Sequence, residues 1–150
     1  MNAPTERKAF GCRGDYRHFL PIVTRWLDND LYGHINNVVY YSFFDTVVNR
    51  TLIDGGFLDL AKSEVIGLVV ETGCRYAKPL AFPDPVTAGL RVAHLGKSSV
   101  RYEVGVFRGD EHDAAAEGHL IHVYVERASR RPTPLPEALR QLLTPLLVVA

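Results

Sequence analysis

A single stretch of this chain repeats its apolar residues at helical spacing, and almost everything after it repeats at strand spacing. Tyr40, Phe43, Phe44, Val47, Val48, Thr51 and Leu52 recur at i, i+3, i+4 and i+7 and so share one face of a helix. Asp45, Asn49 and Arg50 fall mostly on the other face. Asn36 is placed to cap the start, and Gly55-Gly56 supplies residues tolerant of the left-handed conformation that ends helices. At a rise of ~1.5 Å per residue the helix is predicted to be roughly 25 Å long, enough to run across a sheet.

The flanking segments read as strands. His18 to Trp26 is apolar with Pro21 inside it, which fits a first strand at a sheet edge. Val65 to Tyr76 is rich in Val, Ile and Leu, and Val86 to Leu95 follows the Pro83-Asp84-Pro85 turn. After the Gly96-Lys97-Ser98 hairpin, Val100, Tyr102, Val104 and Val106 alternate with Arg101, Glu103, Gly105 and Phe107, as a half-buried strand requires. His119 to Glu126 supplies a last strand, and Pro132, Pro134 and Pro136 precede a short helix over 137–143. One strand, one long helix and four consecutive strands predict an α+β fold with about five strands in a mainly antiparallel sheet, the helix against one face. Residues 1–17, with Pro4, Gly11 and Gly14 among charges, are expected to form a loose N-terminal arm, and 18–150 a single domain. Apolar side chains on the second face, such as Phe107, point to self-association.

Bulk properties narrow the partners. The 17 basic and 17 acidic side chains cancel with no block of like charge, so neither a nucleic-acid backbone nor an anionic membrane surface is favoured. Cys12 and Cys74 lack the spacing of a zinc or redox motif and read as free thiols in a reducing compartment. No run approaches the ~20 apolar residues of a spanning helix, and the N-terminus has no apolar signal core, so a cytoplasmic protein is expected.

The chemistry concentrates in Asp28 to Asn37, Asp-Asn-Asp-Leu-Tyr-Gly-His-Ile-Asn-Asn, immediately before the aromatic-rich helix. Two carboxyls, an imidazole and two carboxamides stand beside a helix N-terminus whose free N–H groups can stabilise a developing oxyanion. On chemistry alone, Asp30 reads first as a turn or capping residue, and Asp28 as the carboxyl that orders the loop.

This decapeptide and the order of elements resemble the hotdog-fold acyl-CoA thioesterases of the 4-hydroxybenzoyl-CoA thioesterase type. Members carry Asp-x-Asp-x-x-Gly-His-x-Asn-Asn before an aromatic-rich helix, matched here from Asp28 to Asn37 with Tyr40-Tyr41 following. The Arg75-Tyr76-Ala77-Lys78-Pro79-Leu80 strand end, the Gly96-Lys97-Ser98-Ser99 hairpin and the strand from Gly118 to Val125 agree, so the resemblance covers roughly 18 to 128. It implies a sheet wrapped around one central helix, with Asp30 as the catalytic carboxylate, either nucleophile or general base. It also implies a backbone N–H at about Asn37 in the oxyanion hole. Related plant acyl-carrier-protein thioesterases place an Asn where this chain has Tyr32, which argues against that branch's active site.

Around this nucleus, His34 either orients the reacting groups or satisfies loop backbone, and Tyr32 and Tyr40 are candidate substrate contacts, Tyr40 with Phe43 and Phe44 doubling as core. Lys78, Lys97, Arg130 and Arg131 are candidates for the phosphates of coenzyme A. Glu71, acidic within an apolar strand, suits an edge or a subunit contact. His94, His112, His119 and His122 show no ligand spacing, so no metal is expected, and coenzyme A enters as part of the substrate rather than as a cofactor. The implied partner is a small-molecule acyl-CoA, and the implied assembly a homodimer or homotetramer. An acyl-carrier-protein thioesterase and a non-catalytic acyl-binding subunit are the alternative readings.

Overall fold

The computed structural model describes residues 8–148. Its elements are β1 (His18–Ile22), α1 (Val39–Asp54), β2 (Val65–Tyr76), β3 (Val86–Leu95), β4 (Ser99–Arg108), β5 (Ala116–Glu126) and α2 (Glu137–Leu143). The five strands form one sheet in the order β1-β3-β4-β5-β2, and every neighbouring pair is antiparallel. The α+β architecture with one long helix against the sheet is therefore observed, and Pro21 lies on an edge strand, where its missing N–H breaks no central ladder.

The core forms where the two periodicities meet. Tyr40, Phe43, Phe44, Val47, Val48, Thr51 and Leu52 are all buried along α1, and the apolar ones among them share one core with Val100, Tyr102, Val104 and Val106 of β4, each fully buried. The helix begins as its sequence suggests. Val38 already has helical dihedrals (φ −71°, ψ −24°), the Asn36 side chain accepts the Val38 N–H at 3.1 Å, and the Asn36 carbonyl accepts the Val39 N–H at 2.9 Å. Asn36 thus caps the first turn.

Three boundaries differ from the sequence reading. The first strand stops at Ile22, and Trp26–Asp28 forms a 3-10 turn. The last strand starts at Ala116 rather than His119, its pairing extended through Gly118, a residue with weak strand preference of its own. Of the segment expected to be a loose arm, residues 1–7 lie outside the described residues, while the stretch from Gly11 to Tyr16 packs on the outer face of the sheet: Arg13–Asp15 is a 3-10 turn and Cys12 bridges to Asp113. Tyr16 is buried against Phe107 and Ala114.

A glycine slot explains that packing. Gly89 and Gly105 are paired partners on β3 and β4, and a Cβ at Gly105 would stand 2.6 Å from the Tyr16 ring. This corrects the reading of Phe107 as an exposed apolar side chain favouring self-association. It is fully buried, in edge contact with Tyr16 and beneath the Arg13 guanidinium. The exposed apolar surface lies instead on the edge strand β2, at Leu68, Val69 and Val70, and on the loop from Val23 to Tyr32.

Candidate functional site

The decapeptide forms a tight loop because its backbone is bonded internally and to one neighbouring segment. Asn29 bridges to Ile35, the Asp30 N–H donates to the His34 carbonyl at 2.9 Å, and the Asn36 N–H donates to the Asp28 carbonyl at 2.8 Å. Gly33, at φ +80°, provides the left-handed residue that closes the turn. The Ile35 N–H reaches the Leu80 carbonyl at 2.7 Å, and the Phe82 N–H reaches the Asn29 carboxamide at 2.9 Å.

The two aspartates take different parts in it. Asp28 is 2% exposed and accepts the Arg25 N–H at 2.8 Å and the Arg25 guanidinium at 3.0 Å, so it orders the approach to the loop. Asp30 stands at the surface of a cavity of about 420 Å³, with one oxygen held by the Tyr32 N–H at 2.8 Å. His34, Tyr32, Asn37, Tyr40 and Lys78 line the same cavity. Five of the predicted residues thus join Asp30 in one place.

The helix N-terminus opens into this cavity. Its first turn carries no acidic side chain, and among the described residues no acceptor takes the Asn37 backbone N–H, so the positive end of the helix dipole is left for a ligand. The Asn37 carbonyl, by contrast, accepts the Tyr76 hydroxyl at 2.8 Å. The sequence marks Tyr76 only as part of the 75–80 strand end, with no role in the site. Its position follows from alternation on β2, which puts residues 72, 74 and 76 on the helix side, and from the register Tyr76↔Ala116, which ends the strand beside the start of α1. Tyr76 packs edge-on against Tyr40, with centroids 5.1 Å apart. Burial pushes the Tyr40 hydroxyl up to about 12 and the Cys74 thiol up to about 11, and it raises Tyr76 as well, with the nearby Cys74 adding to the rise. This wall of the cavity is neutral and aromatic.

The basic candidates separate. Lys78 lines the cavity, and its ammonium bonds Glu111 at 2.8 Å, a contact that holds Glu111 below the usual carboxylate range. Lys97 does not join it. The β3–β4 hairpin lies at the other end of the sheet, where Ser99 pairs with Val123, while the Asp30 end lies where Val106 pairs with Ala116. Seven strand residues at ~3.3 Å each put roughly 20 Å between them. Arg130 and Arg131, beyond the end of β5, share that remote end. Glu71 lies on the edge strand, bonded to His119 at 2.8 Å.

A larger cavity, about 690 Å³, lies on the outer face beneath residues 8–16. Its charges are mostly paired with one another: Arg91 with Glu103 at 2.9 Å, Arg75 with Glu117 at 3.6 Å, and the Tyr16 hydroxyl with Glu117. It contains none of the decapeptide, so chemistry rather than size identifies the candidate site. Among the described residues no three His, Cys, Asp or Glu side chains are grouped to hold a metal ion, and no helix is long and apolar enough to cross a membrane.

Known proteins carry the same architecture. The crystal structure of a protein from Pseudomonas aeruginosa strain PAO1 superposes with a TM-score of 0.92 at 52% identity, covering 95% of this chain and 99% of that one. A candidate thioesterase from Pseudomonas aeruginosa matches with a TM-score of 0.78 at 31% identity, over 84% of this chain and 97% of its own. A thioesterase from Thermus thermophilus, solved with coenzyme A and zinc, matches with a TM-score of 0.72 at 30% identity, over 88% of this chain and 95% of its own. No curated protein matches the sequence. The model of the thioesterase-like superfamily matches residues 24–143, which include the whole loop, α1 and the four strands β2 to β5 in the hotdog arrangement expected of it, and this chain belongs to that superfamily.

Proposed function

We propose that this protein hydrolyses an acyl-CoA thioester to a free acid and coenzyme A. One observation carries the reading: the Asp30 carboxyl, the His34 imidazole and the unengaged Asn37 backbone N–H open onto one cavity with an aromatic wall. In the reaction, the thioester carbonyl oxygen accepts the Asn37 N–H, where the helix dipole favours the negative charge that develops as the carbonyl is attacked. Asp30 either takes a proton from the attacking water or attacks the carbonyl itself, forming an anhydride that water then opens. The C–S bond breaks and the thiolate of coenzyme A leaves, to be protonated from solvent. Tyr32 and Tyr40 contact the substrate, and Lys78 sits at the mouth for a phosphate. The coenzyme A bound by the Thermus thermophilus thioesterase supports this choice of leaving group.

We also infer a homodimer or larger homo-oligomer. The edge of β2 exposes Leu68, Val69 and Val70, and the loop after β1 exposes Trp26, Leu27 and Leu31, apolar patches of the kind a second copy covers. Sedimentation of a stable, active monomer at micromolar concentration would contradict this.

The test of function is release of free thiol from short, medium, long and aromatic acyl-CoA thioesters, with an acyl-carrier-protein thioester alongside. Turnover of one or more acyl-CoA substrates is expected. Turnover of the carrier-protein substrate alone would transfer the reading to that class, and no turnover of any would leave an acyl-binding role.

A further inference from the structure

The Asp30 loop has two limbs, and they are tied to the rest of the molecule by different means. The limb that leads into α1 is held through its backbone: the Ile35 N–H donates to the Leu80 carbonyl at 2.7 Å, and the Asn37 carbonyl accepts the Tyr76 hydroxyl at 2.8 Å. The limb that carries Asp30 has no such tie. Its main-chain bonds stay within residues 25–36, running from Asp28 to Arg25, from Asn29 to Trp26, from Asp30 to His34 and from Asn36 to Asp28. Among the described residues, the hydrogen bonds from this limb to the 80–82 segment come from one side chain, that of Asn29.

Asn29 pairs with a single residue there. Its carboxamide oxygen accepts the Phe82 N–H at 2.9 Å, and its carboxamide nitrogen donates to the Phe82 carbonyl at 3.4 Å. Bonding both the N–H and the C=O of one residue fixes the carboxamide in rotation as well as in place, because each bond needs its own end of the group. The accepting bond, of ordinary N–H···O length, is the stronger of the two. An edge contact between the Trp26 and Phe82 rings, centroids 6.3 Å apart, joins the same segments, but Trp26 is 79% exposed and a ring edge fixes direction less than a paired carboxamide does. The Asn29 backbone is extended (φ −75°, ψ 140°), so its side chain leaves the chain on the side opposite to that of Asp30. With Asn29 turned to Phe82, Asp30 is turned to the cavity. The gripped segment continues directly from Ala77, Lys78 and Pro79, which line that cavity. Neither the turn nor the helix cap uses the Asn29 carboxamide, since Gly33 closes the one and Asn36 forms the other.

We propose that Asn29 is a positioning residue: by locking its limb to Phe82 it fixes where the Asp30 carboxyl stands relative to the Asn37 N–H and the 77–79 wall, without touching substrate. The proposal rests on the reading of Asp30 as the carboxyl that acts in hydrolysis. A displacement of about 1 Å at a reacting group can cost about 10²-fold in rate, so loss of the clamp is felt in turnover. Tyr40 and Lys78 lie outside this limb, so substrate binding is spared.

The experiment measures kcat and KM on the best acyl-CoA substrate for the wild type, for Asn29→Leu, which is close in size without a polar atom, and for Asn29→Ala. Leu139→Ala is the control: it truncates a fully buried side chain of α2, the helix whose Arg140 bonds Gly96 at the remote hairpin end. Each Asn29 variant is expected to lose about tenfold or more in kcat with KM within about twofold of wild type, whereas folded Leu139→Ala keeps the wild-type kcat despite its lower stability. Amide hydrogen exchange is expected to show the Phe82 N–H protected in the wild type and released in Asn29→Leu. Wild-type turnover with kcat unchanged in folded Asn29→Leu or Asn29→Ala, an equal fall in Leu139→Ala, or a loss confined to KM would overturn the proposal alone. So would a Phe82 N–H that exchanges in the wild type as fast as an unstructured amide, a result that needs no variant. Absence of wild-type turnover on every acyl-CoA would overturn the hydrolase reading, and this proposal with it.

Discussion

The two ends of α1 meet opposite demands. At the N-terminal end, backbone groups of the Asn29–Asn36 loop are bonded to one another and to residues 80–82, and the Asp30 and His34 side chains are left at a solvent-facing cavity. At the C-terminal end, His122 is enclosed by Tyr102, Tyr124 and apolar side chains. One end is rigid in its main chain and open in its side chains; the other is closed around a neutral imidazole. A helix N-terminus with free amides can stabilise charge that develops during a reaction, whereas a buried ring without a partner resists acquiring charge at all. Chemistry that creates an anion belongs at the first end, while the second end holds its imidazole neutral inside the core.

The largest expected effect tests the first end. Asn37→Ala keeps the backbone N–H and should cost little, whereas Asn37→Pro deletes it in the first helical turn, a position that tolerates proline, and should lower kcat by about 10²–10³. Equal rates for the two folded variants would place the oxyanion donor elsewhere.

The next tests the second end through stability. The folded pKa of His122, about 4, lies below its ordinary value of 6.5, so the native state binds fewer protons than the unfolded one between these values. Its contribution is fully present above about pH 6.5 and falls away as the pH drops toward about 4, a loss on the order of 3 kcal/mol. Urea unfolding at a series of pH values should show this loss in the wild type, and His122→Phe should remove it. An unchanged slope in the variant would assign the acid sensitivity to other groups.

A smaller effect separates the two aspartates. Asp28→Ala removes the acceptor of the Arg25 N–H from a buried position, so a stability loss of about 1–2 kcal/mol is expected in thermal or urea unfolding. The Arg25 guanidinium is largely exposed and adds little to that loss. The smallest effect concerns the lysines: Lys97→Ala should leave KM for an acyl-CoA unchanged, and Lys78→Ala should raise it by about threefold. Matching increases would mean that a second copy brings its β3–β4 hairpin to the cavity.

These contrasts also show what can be read from the sequence. The buried stripe of α1 and the strands over 65–76 and 86–95 are legible because burial imposes a period on neighbouring residues, and the cap at Asn36 because its geometry is local. The Asp30 loop is legible as a motif, and the candidates Asp30, Tyr32, His34, Asn37 and Tyr40 do line a shared surface with Lys78. What stays hidden depends on contacts distant in sequence. Tyr16 becomes core because Gly89 and Gly105, paired across two strands, leave room for its ring. Tyr76 reaches Asn37 through the β2–β5 register, and Lys97 is carried away from Asp30 by the length of β4. No local spacing encodes such distances.

The central claim is that the Asp30 carboxyl performs the hydrolysis, and its most direct test is the turnover number of Asp30→Asn on the best acyl-CoA substrate, beside the wild type and Asp28→Asn. The substitution is nearly isosteric, so the loop and the cavity should survive, as circular dichroism and unfolding can verify. A loss of about 10²-fold or more in kcat is predicted for Asp30→Asn, with a smaller loss for Asp28→Asn. Near-normal hydrolysis by folded Asp30→Asn, or the reverse ranking of the two variants, would contradict the account.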